Sequence, residues 1–421
     1  MKENYDFLHI EAQIENGRIE AKAGGILGEA SQPFLDYLVG VLNSLKVIAR
    51  RDGKNIYNLY NPPQPSKAGM RGLARKIREK IMGMVLPATA NLAVTSKCQC
   101  DCVHCSYDLF KNTERPSLST DELKKVVGES LALGVNLIIF VGGEPLLNPD
   151  IYELIDCVDK DKAIASMFTN GLLLTGENCR KLSDAGLHCL YVSIDSPRPE
   201  VHNNLRKIDG LYDRTMEGAA RARENGILTG LSTYATSETL AGGEVEELIN
   251  IAHDQGFHEI TIFDCIPSGK YLKKTGMMLS RKEKETLCAL ANKYNELFDD
   301  MGIIAQAVVN SPTGAGCFGA YTQFYMTAYG DVNPCDFNPI TFGNVREMSL
   351  PGIWSKMISH PDFCYRYASC RMQTPGYRAK YIDVLPDDAR LPVPIENYDG
   401  PPVPRNEFDR KADAAELGGG R

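Results

Sequence analysis

The chain has 421 residues, of which 43% are hydrophobic and 24% charged, and its formal net charge is −8. These values are typical of a globular protein with roughly two or three domains. No run of about 18 apolar residues occurs, so we expect no membrane-spanning helix. The acidic charge argues against a nucleic-acid partner, since such binding depends on Lys and Arg neutralising phosphates. The first residues lack a basic region followed by an apolar core, so we expect a cytoplasmic protein.

Residues 1–66 predict a small α+β unit that ends in a linker. Two alternating apolar–polar segments flank Asn16-Gly17, a pair that supplies the positive φ angles of a type I′ hairpin turn. Apolar residues at helical spacing predict a helix over 34–45, and Asp52-Gly53 predicts a second hairpin. The Pro-rich residues 61–66 have the composition of a linker.

Residues 67–89 predict a separate amphipathic helix with one basic face, formed by Arg71, Arg75, Lys76, Arg78 and Lys80. One interpretation is a helix that binds a membrane surface or a partner. The other, which we favour, is a solvated cap lying across the next domain. Peripheral membrane contact therefore stays open without being favoured.

Strand and helix patterns alternate from about residue 90 to residue 270, which predicts an α/β domain with a parallel sheet. The predicted strands are Asn91–Thr95, Asn136–Val141, Ala163–Phe168, Leu187–Ile194, Ile227–Tyr234 and Glu259–Cys265. The predicted helices cover about 120–133, 149–159, 177–185, 213–225 and 244–255, and the first opens with a capping box at Ser119 and Glu122. In curved or barrel sheets of this kind, chemistry is placed at the carboxyl ends of the strands.

Three cysteines follow the first of these strands within one short loop, Cys98, Cys102 and Cys105. Their C-x3-C-x2-C spacing allows three thiolates to face one cavity. A cubane iron–sulfur cluster normally takes four cysteines, so three would leave one iron open. Zinc is the alternative, although zinc sites usually use C-x2-C pairs. Cys100, between the first two, leaves the choice of ligands less certain.

A glycine-rich turn follows the second predicted strand, Gly142-Gly143-Glu144-Pro145. The two glycines allow the backbone to approach a ligand closely. Glu144 offers a carboxylate that can accept hydrogen bonds from an ammonium group. Alone this sequence is also compatible with an ordinary turn, but here it lies one β/α unit after the cysteine loop.

Together these two motifs resemble the radical S-adenosylmethionine (SAM) superfamily. Cys98, Cys102 and Cys105 match its cluster loop, including an aromatic residue, His104, before the last cysteine, and Gly142 to Pro145 match its motif for the methionine amino group. The resemblance covers about residues 90–270 and implies a partial (β/α)6 barrel. It also implies that the SAM contacts include His104, Gly142, Gly143, Glu144, Pro145, Asn170, Ser193, Asp195 and Arg206.

The resemblance implies a specific chemistry. SAM would bind the open iron, and an electron from the reduced cluster would cleave it to a 5′-deoxyadenosyl radical that abstracts hydrogen from a substrate carbon. As in other cofactor enzymes, the protein would supply positioning and exclude competing reactions. The implied partners are a flavodoxin- or ferredoxin-type electron donor and a peptide or small-molecule substrate.

A second group of cysteines lies in a C-terminal segment, residues 271–384. Cys317 and Cys335 enclose Gly330 in a C-x12-G-x4-C pattern that resembles the SPASM or twitch auxiliary-cluster extension. The resemblance implies one auxiliary 4Fe–4S cluster on Cys317, Cys335, Cys364 and Cys370, with structural zinc as the alternative. Cys265 is a candidate substitute ligand or substrate contact. Residues 385–421 predict an extended tail whose last dozen residues are disordered.

Three hypotheses about function follow. The leading one is a radical SAM enzyme that oxidises or forms a bond in a peptide or a small biosynthetic intermediate. The second is a radical SAM enzyme that acts on a lipid or tetrapyrrole. The third is a non-catalytic iron–sulfur or zinc protein for electron transfer or assembly, which the amino-acid-binding motif argues against. Some peptide-modifying members carry an N-terminal clamp of three strands and three helices, whose order the predicted hairpin–helix–hairpin pattern does not match well.

Overall fold

The computed structural model describes residues 2–5, 8–110, 114–312 and 314–405. The prediction of a disordered C-terminal end concerns residues beyond 405 and so lies outside the described residues. None of the described helices is both long and apolar enough to cross a membrane.

The N-terminal unit contains two small antiparallel sheets and two helices. These are β1 (Lys2–Tyr5), β2 (Leu8–Glu15), β3 (Arg18–Gly24), α1 (Gly28–Ser44), β4 (Ala49–Arg51), β5 (Lys54–Ile56) and α2 (Lys67–Met82). Both predicted hairpins are confirmed, and Asn16 and Gly17 have φ angles of 50° and 77°, as the type I′ turn requires. The sequence pattern missed β1, which pairs with β2 and makes the first sheet three-stranded. Its short polar sequence carries no apolar alternation.

The helix α2 packs into this unit instead of presenting a uniform basic face. Its apolar residues Met70, Leu73 and Ile77 form one buried core with residues of β2, β3 and α1. Arg71 and Arg75 are buried, and Arg71 donates a hydrogen bond to the carbonyl of Leu131. The prediction of an exposed basic face is therefore wrong for these two residues, because their guanidinium groups hydrogen-bond to protein instead of to water.

The central sheet has nine strands in the order β12-β11-β10-β9-β8-β7-β6-β13-β14 among the described residues, and the first eight are parallel. Its strands are β6 (Thr89–Ala93), β7 (Leu137–Val141), β8 (Ile164–Thr169), β9 (Cys189–Ser193), β10 (Leu228–Ala235), β11 (Glu259–Asp264), β12 (Gly302–Ala305), β13 (Gln323–Met326) and β14 (Val332–Asn333). The α/β class and the six predicted strands are confirmed. The edge strands β12 and β14 do not pair with each other, so the described sheet is an open, partial barrel.

Nine helices accompany this sheet within the described residues. They are α3 (Thr120–Leu133), α4 (Ile151–Asp156), α5 (Gly176–Asp184), α6 (Pro199–Arg206), α7 (Leu211–Glu224), α8 (Ser237–Ala241), α9 (Glu244–Asp254), α10 (Arg281–Leu297) and α11 (Gln306–Val309). The five predicted helices are confirmed, and Ser119 and Glu122 form the predicted capping box of α3. The pattern missed β12 and β13 because each is only four residues long and lies in a segment that we expected to have left the barrel.

The C-terminal segment contains two helices and a short parallel pair of strands, and its helix α12 packs against α3. Its remaining elements are β15 (Ile340–Thr341), α12 (Leu350–Ser359), α13 (Pro375–Tyr381) and β16 (Val393–Pro394). The tail is less extended than predicted up to residue 405. Its β16 pairs with β15, and Val403 is buried.

Candidate active site

One cavity of about 920 Å³ runs along the inside of the parallel sheet and includes the carboxyl ends of its strands. Its wall contains most of the cysteines singled out from the sequence: Cys98, Cys102, Cys105, Cys317, Cys335 and Cys370. Because parallel strands end at one edge of a sheet, the loops after several of them meet there. Two groups of thiols that are far apart in sequence therefore face the same space.

The glycine turn and the cysteine loop are joined by backbone hydrogen bonds. The amide of Gly143 donates to the carbonyl of Thr95 at 2.9 Å, and the amide of Glu144 donates to that of Lys97 at 2.8 Å. A Cβ atom on Gly143 would lie 2.2 Å from the Lys97 carbonyl oxygen, and Gly142 has a φ of +134°. Only glycine therefore allows these two segments to approach so closely.

The cysteine loop is also held from two other sides. The amide of Val103 donates to the carbonyl of Leu205 on α6 at 3.0 Å, and the amide of Lys270 donates to the carbonyl of Cys105 at 3.1 Å. The Lys270 ammonium group forms an ion pair with Asp101 in the loop. These contacts fix the backbone that carries the three predicted cluster ligands.

Cys100 has a different role from its neighbours. Its thiol hydrogen-bonds to Cys102 and Cys98, and these bonds together with burial raise the pKa of Cys100 well above its usual range. The same bond lowers the pKa of Cys102, burial opposes this, and Arg206 assists it. Cys100 is thus placed between Cys98 and Cys102, with its thiol in contact with both.

A buried ion pair lies beside the cysteine loop. Arg206 on α6 donates to both carboxylate oxygens of Asp195, at 2.7 and 2.9 Å. Burial alone would raise the pKa of Asp195, but the charge of Arg206 outweighs it and holds that pKa well below its usual range. His104 lies 3.5 Å from Asp195 and packs against the ring of Tyr234, and burial lowers the pKa of His104. The cavity wall therefore carries the Asp195–Arg206 ion pair next to the cysteine loop.

Glu144 does not face the cavity as expected. Its carboxylate is fully buried and accepts hydrogen bonds from Thr169 Oγ1 at 2.7 Å and from the amide of Asn170 at 2.8 Å. Burial raises the pKa of Glu144 to about 7, and those hydrogen bonds oppose the shift. Glu144 thus holds the loop after β8, and its predicted contact with an ammonium group stays a prediction. Gly142 and Gly143, in contrast, line the cavity.

The remaining residues predicted to contact SAM also fall into two groups, those that line the cavity and those that do not. Asn170 and Ser193 line the cavity, and the Asn170 amide group lies 3.9 Å from Cys98 Sγ and 3.1 Å from the side-chain oxygen of Gln99. Pro145 is buried at the start of a short 3-10 turn, outside the cavity wall. Asn170 is thus positioned toward a cluster ligand, and Pro145 shapes the turn.

Three of the four cysteines predicted for the auxiliary cluster come together. Arg371, fully buried, donates to Cys317 Sγ at 3.6 Å and to the Gly319 carbonyl at 2.6 Å. The position of a Cβ on Gly319 would be 3.6 Å from Cys335 Cβ, which places these two segments side by side. Cys370 precedes Arg371 directly and lines the same cavity. Cys364 is exposed, and its Sγ lies 3.5 Å from the carbonyl of Pro361.

Several functional groups were not predicted from the sequence. Tyr234 contacts His104, Arg371 joins the auxiliary segments, and Asp336 and Asp264 line the cavity near the second cysteine group. The position of Asp336 directly after Cys335 was a usable signal. The others carry no motif, and only folding places them at the cavity.

The donor set fits iron–sulfur clusters and a polar cofactor. Among the described residues, no three His, Cys, Asp or Glu side chains converge as ligands of a single metal ion. The thiols of both cysteine groups are the ligand type that 4Fe–4S clusters take. In addition, Thr233 Oγ1 and Asp264 Oδ1 are buried atoms of the cavity wall without a hydrogen-bond partner in the described residues. Such atoms fit a bound polar ligand.

Comparisons with known proteins agree with this geometry. A family model described as the radical SAM superfamily matches residues 92–252, and one described as an iron–sulfur cluster-binding domain, SPASM, matches residues 317–372. The AdoMet-dependent heme synthase of Oleidesulfovibrio alaskensis is 25% identical over 62% of this chain and 73% of its own length. The PqqA peptide cyclase of Rhizobium meliloti is 28% identical over 64% of this chain and 74% of its own length.

A solved structure shares the fold. The structure of Streptococcus suis SuiB bound to the precursor peptide SuiA superposes with a TM-score of 0.55 and 14% sequence identity. The match covers 84% of this chain and 88% of that one. It therefore extends beyond the central sheet.

Proposed function

The chain belongs to the radical SAM superfamily and carries a SPASM-type iron–sulfur domain, and on this premise we propose that it oxidises, or forms a bond in, a peptide or a small biosynthetic intermediate. It is an enzyme, and its cofactors are SAM, a SAM-binding 4Fe–4S cluster and an auxiliary cluster. When bound, these groups supply hydrogen-atom abstraction from an unactivated carbon and one-electron transfer.

We assign different residues of the chain to the first cluster and to SAM. We assign the SAM-binding cluster to Cys98, Cys102 and Cys105, with the Cys100 thiol in contact with two of them. The backbone at Gly142 and Gly143 and the Asp195–Arg206 pair then offer contacts for the polar groups of SAM.

The observation that carries the proposal is the shared cavity. Cys102 of the first group and Cys317, Cys335 and Cys370 of the second all line it. A substrate in this space can therefore contact both centres. This supports an overall oxidation, or a bond formed with loss of two hydrogens, in which the auxiliary cluster accepts or relays an electron. We further propose a flavodoxin- or ferredoxin-type donor for the first cluster.

Two observations support a peptide substrate. One relative of the chain is a peptide cyclase. The N-terminal unit, moreover, has three antiparallel strands packed on α1 and α2, where the sequence had predicted only a hairpin. It is therefore closer to the clamp of peptide-modifying members than the predicted order suggested.

A tetrapyrrole is the second candidate. Several relatives are heme synthases at 25–26% identity. The cavity wall is also rich in aromatic rings that can stack on a flat ligand, among them Tyr60, Phe168, Phe263, Tyr325 and Phe337. Deuterium transfer into 5′-deoxyadenosine from a labelled peptide, in contrast to a labelled porphyrin, would separate these candidates.

The basic activity is tested without knowing the substrate. After anaerobic reconstitution with iron and sulfide, the protein with SAM and dithionite should form 5′-deoxyadenosine. The variant Cys102→Ala should not, whereas Cys288→Ala, on α10 and outside the cavity wall, should behave as the unmodified protein. Absence of cleavage despite a filled first cluster would favour a non-catalytic iron–sulfur protein.

A further inference from the structure

The cavity has a second end, away from the cysteines, where the N-terminal unit meets the central sheet. The starts of two strands border it, at Thr89 in β6 and Gln323 in β13. The rest of the wall there consists of polar and charged side chains of α2 and of the segment before it: Arg75, Lys76, Glu79, Asn58 and Asn61. This end therefore lies at the amino ends of the strands, opposite the cysteine loop.

Arg75 is buried at this end with part of its hydrogen-bonding capacity unused. The residue is 5% exposed. Both of its hydrogen bonds within the described residues leave from Nη1, to Glu79 Oε1 at 2.7 Å and to the Leu86 carbonyl at 3.4 Å. Nε is buried and has no partner in the same part of the chain. Because a guanidinium group carries five N–H donors, the edge formed by Nε and Nη2 remains for a ligand.

This edge of Arg75 has the geometry of an anion site. Buried polar groups are nearly always hydrogen-bonded, so an unused donor on a buried cation indicates that a ligand completes it. The two parallel N–H groups of a guanidinium edge match both oxygens of a carboxylate or phosphate. The structural contacts of Arg75 to Glu79 and Leu86 account for Nη1 alone.

The charge around Arg75 also favours an anion. Lys76 is exposed and lines the same end of the cavity. Glu79 is the carboxylate of α2 at this end, and it is paired with Arg75. Two cations and one carboxylate leave an excess of one positive charge on this part of α2, although the whole chain has a net charge of −8. A cleft with an excess of one sign of charge concentrates ligands of the opposite sign.

The separation of the two ends restricts the ligand. Strand β6 runs from Thr89, at the α2 end, to Ala93, before the cysteine loop. Four steps of about 3.3 Å along a strand span roughly 13 Å. Asn91 lies between these positions and lines the same cavity. A molecule that reaches both ends is therefore extended.

We propose that the end of the cavity beside α2 binds an anionic group of the substrate, a carboxylate or a phosphate, through the Nε–Nη2 edge of Arg75, while the reacting carbon of the same molecule lies at the cysteine end. Lys76 adds a second positive charge to this site. The inference rests on the proposed function for the position of the reacting carbon, whereas the anion site is defined by α2 itself. It restricts the substrate to an extended, acidic molecule.

Anion binding is tested on the reconstituted protein with SAM present and no reductant, so that SAM occupies the open iron and is not cleaved. The probes are inorganic phosphate and ¹³C-acetate, whose ³¹P and ¹³C line widths are followed in an anaerobic titration. The unmodified protein should bind at least one of them saturably, and the tighter of the two identifies the substrate group. Absence of saturable binding for both would overturn the proposal. Because SAM cleavage plays no part in the measurement, this failure is distinguishable from a failure of the proposed function.

Substitutions on α2 separate the anion site from the structural contact with Glu79. Lysine keeps a positive charge beside Glu79 but has no fork, so affinity for the anion should fall about fivefold in Arg75→Lys and at least about tenfold in Arg75→Gln. Glu79→Gln removes the opposing charge and should raise the affinity roughly two- to threefold. Lys80→Gln removes a charge of the same helix outside the cavity wall and should change the affinity by less than about twofold. Unchanged affinity in both Arg75 variants, with urea unfolding showing that they are folded, would overturn the proposal.

Discussion

The two cysteine groups of this protein are built in opposite ways. The first occupies eight consecutive residues, and its loop is tied to the chain around it by backbone hydrogen bonds, such as that from Val103 to Leu205. The second draws Cys317, Cys335 and Cys370 from three separate segments, and the side chain of Arg371, next to Cys370, hydrogen-bonds to the segment of Cys317. A centre made by one loop depends on local geometry, whereas a centre made by three segments depends on the packing that brings them together. The predictions below separate these two dependences.

The largest effect is expected from removing the first ligand set. Replacing Cys98, Cys102 and Cys105 with Ala should reduce 5′-deoxyadenosine formation to background, since no open iron remains to bind SAM. The EPR signal of the auxiliary cluster should persist, because none of its ligands lies in that loop. Loss of both clusters together would show that the centres are not structurally independent.

Arg371→Met should affect the other centre, so that the auxiliary cluster is lost and the first cluster is kept. The fully buried guanidinium makes hydrogen bonds to Cys317 and to the carbonyls of Gly319, Asp362 and Tyr365. Its loss should lower the free energy of unfolding in urea by about 3 kcal/mol, because three buried carbonyls lose their donor at a cost of about 1–3 kcal/mol each. The auxiliary iron should be lost while the first cluster remains. Arg281→Met, at a 92% exposed side chain on α10, is the matched control and should change stability by less than about 1 kcal/mol.

Asp195→Asn should destabilise the first region through its charge. Arg206 would remain buried without its carboxylate partner, which should cost about 3 kcal/mol in urea unfolding. SAM affinity should fall as well if Arg206 contacts the cofactor. Asp161→Asn breaks an exposed ion pair with Lys67 and should cost less than about 1 kcal/mol. Equal effects of the two substitutions would contradict the assignment of a stabilising role to the buried pair.

Gly143→Ala tests the close approach between the glycine turn and the cysteine loop. The new Cβ would lie 2.2 Å from the Lys97 carbonyl oxygen, so the two segments must separate. We expect a strain of about 1–3 kcal/mol and SAM binding weakened roughly tenfold, measured by calorimetry on the reconstituted protein. Gly128→Ala, on α3 with nothing within 4 Å of the new Cβ, should not weaken binding.

The free energy of unfolding should also depend on pH through Glu259, which belongs to neither cysteine region. Burial raises the pKa of Glu259, at the start of β11, to about 7, and hydrogen bonds from Tyr191 and the amide of Leu59 oppose the shift. The folded chain therefore keeps a proton that the unfolded chain releases between pH 4.5 and 7. The free energy of unfolding should decrease as pH rises through this range, by at most about 1.4 kcal/mol per unit.

The Glu259→Gln variant isolates this titration. It should lack that decrease, so it should gain stability relative to the unmodified protein between pH 5 and pH 8. Urea unfolding at the two pH values measures the difference, and metal content should match in both proteins. A parallel pH dependence of the two proteins would mean that Glu259 is ionised in the folded state throughout.

The sequence alone determined the α/β class, six parallel strands and five helices, and it predicted the position of the first cysteine loop after the first of these strands. These features depend on apolar periodicity, turn residues and short spacings, which act between residues close in the chain. The loop of Cys98 to Cys105 could be placed at the cavity because the carboxyl ends of parallel strands always share one edge.

Only the tertiary structure decided the rest. Cys364 fits the spacing of an auxiliary ligand, yet the burial of Asp362 and Phe363 turns it outward. Glu144 belongs to the predicted motif, but its carboxylate binds the loop after β8. The sequence predicts Arg71 on a basic helix face, but in the structure its side chain is buried and donates a hydrogen bond to the Leu131 carbonyl. In each case the decisive partner is remote in sequence or set by packing, and no local pattern records which way a side chain turns when segments pack together.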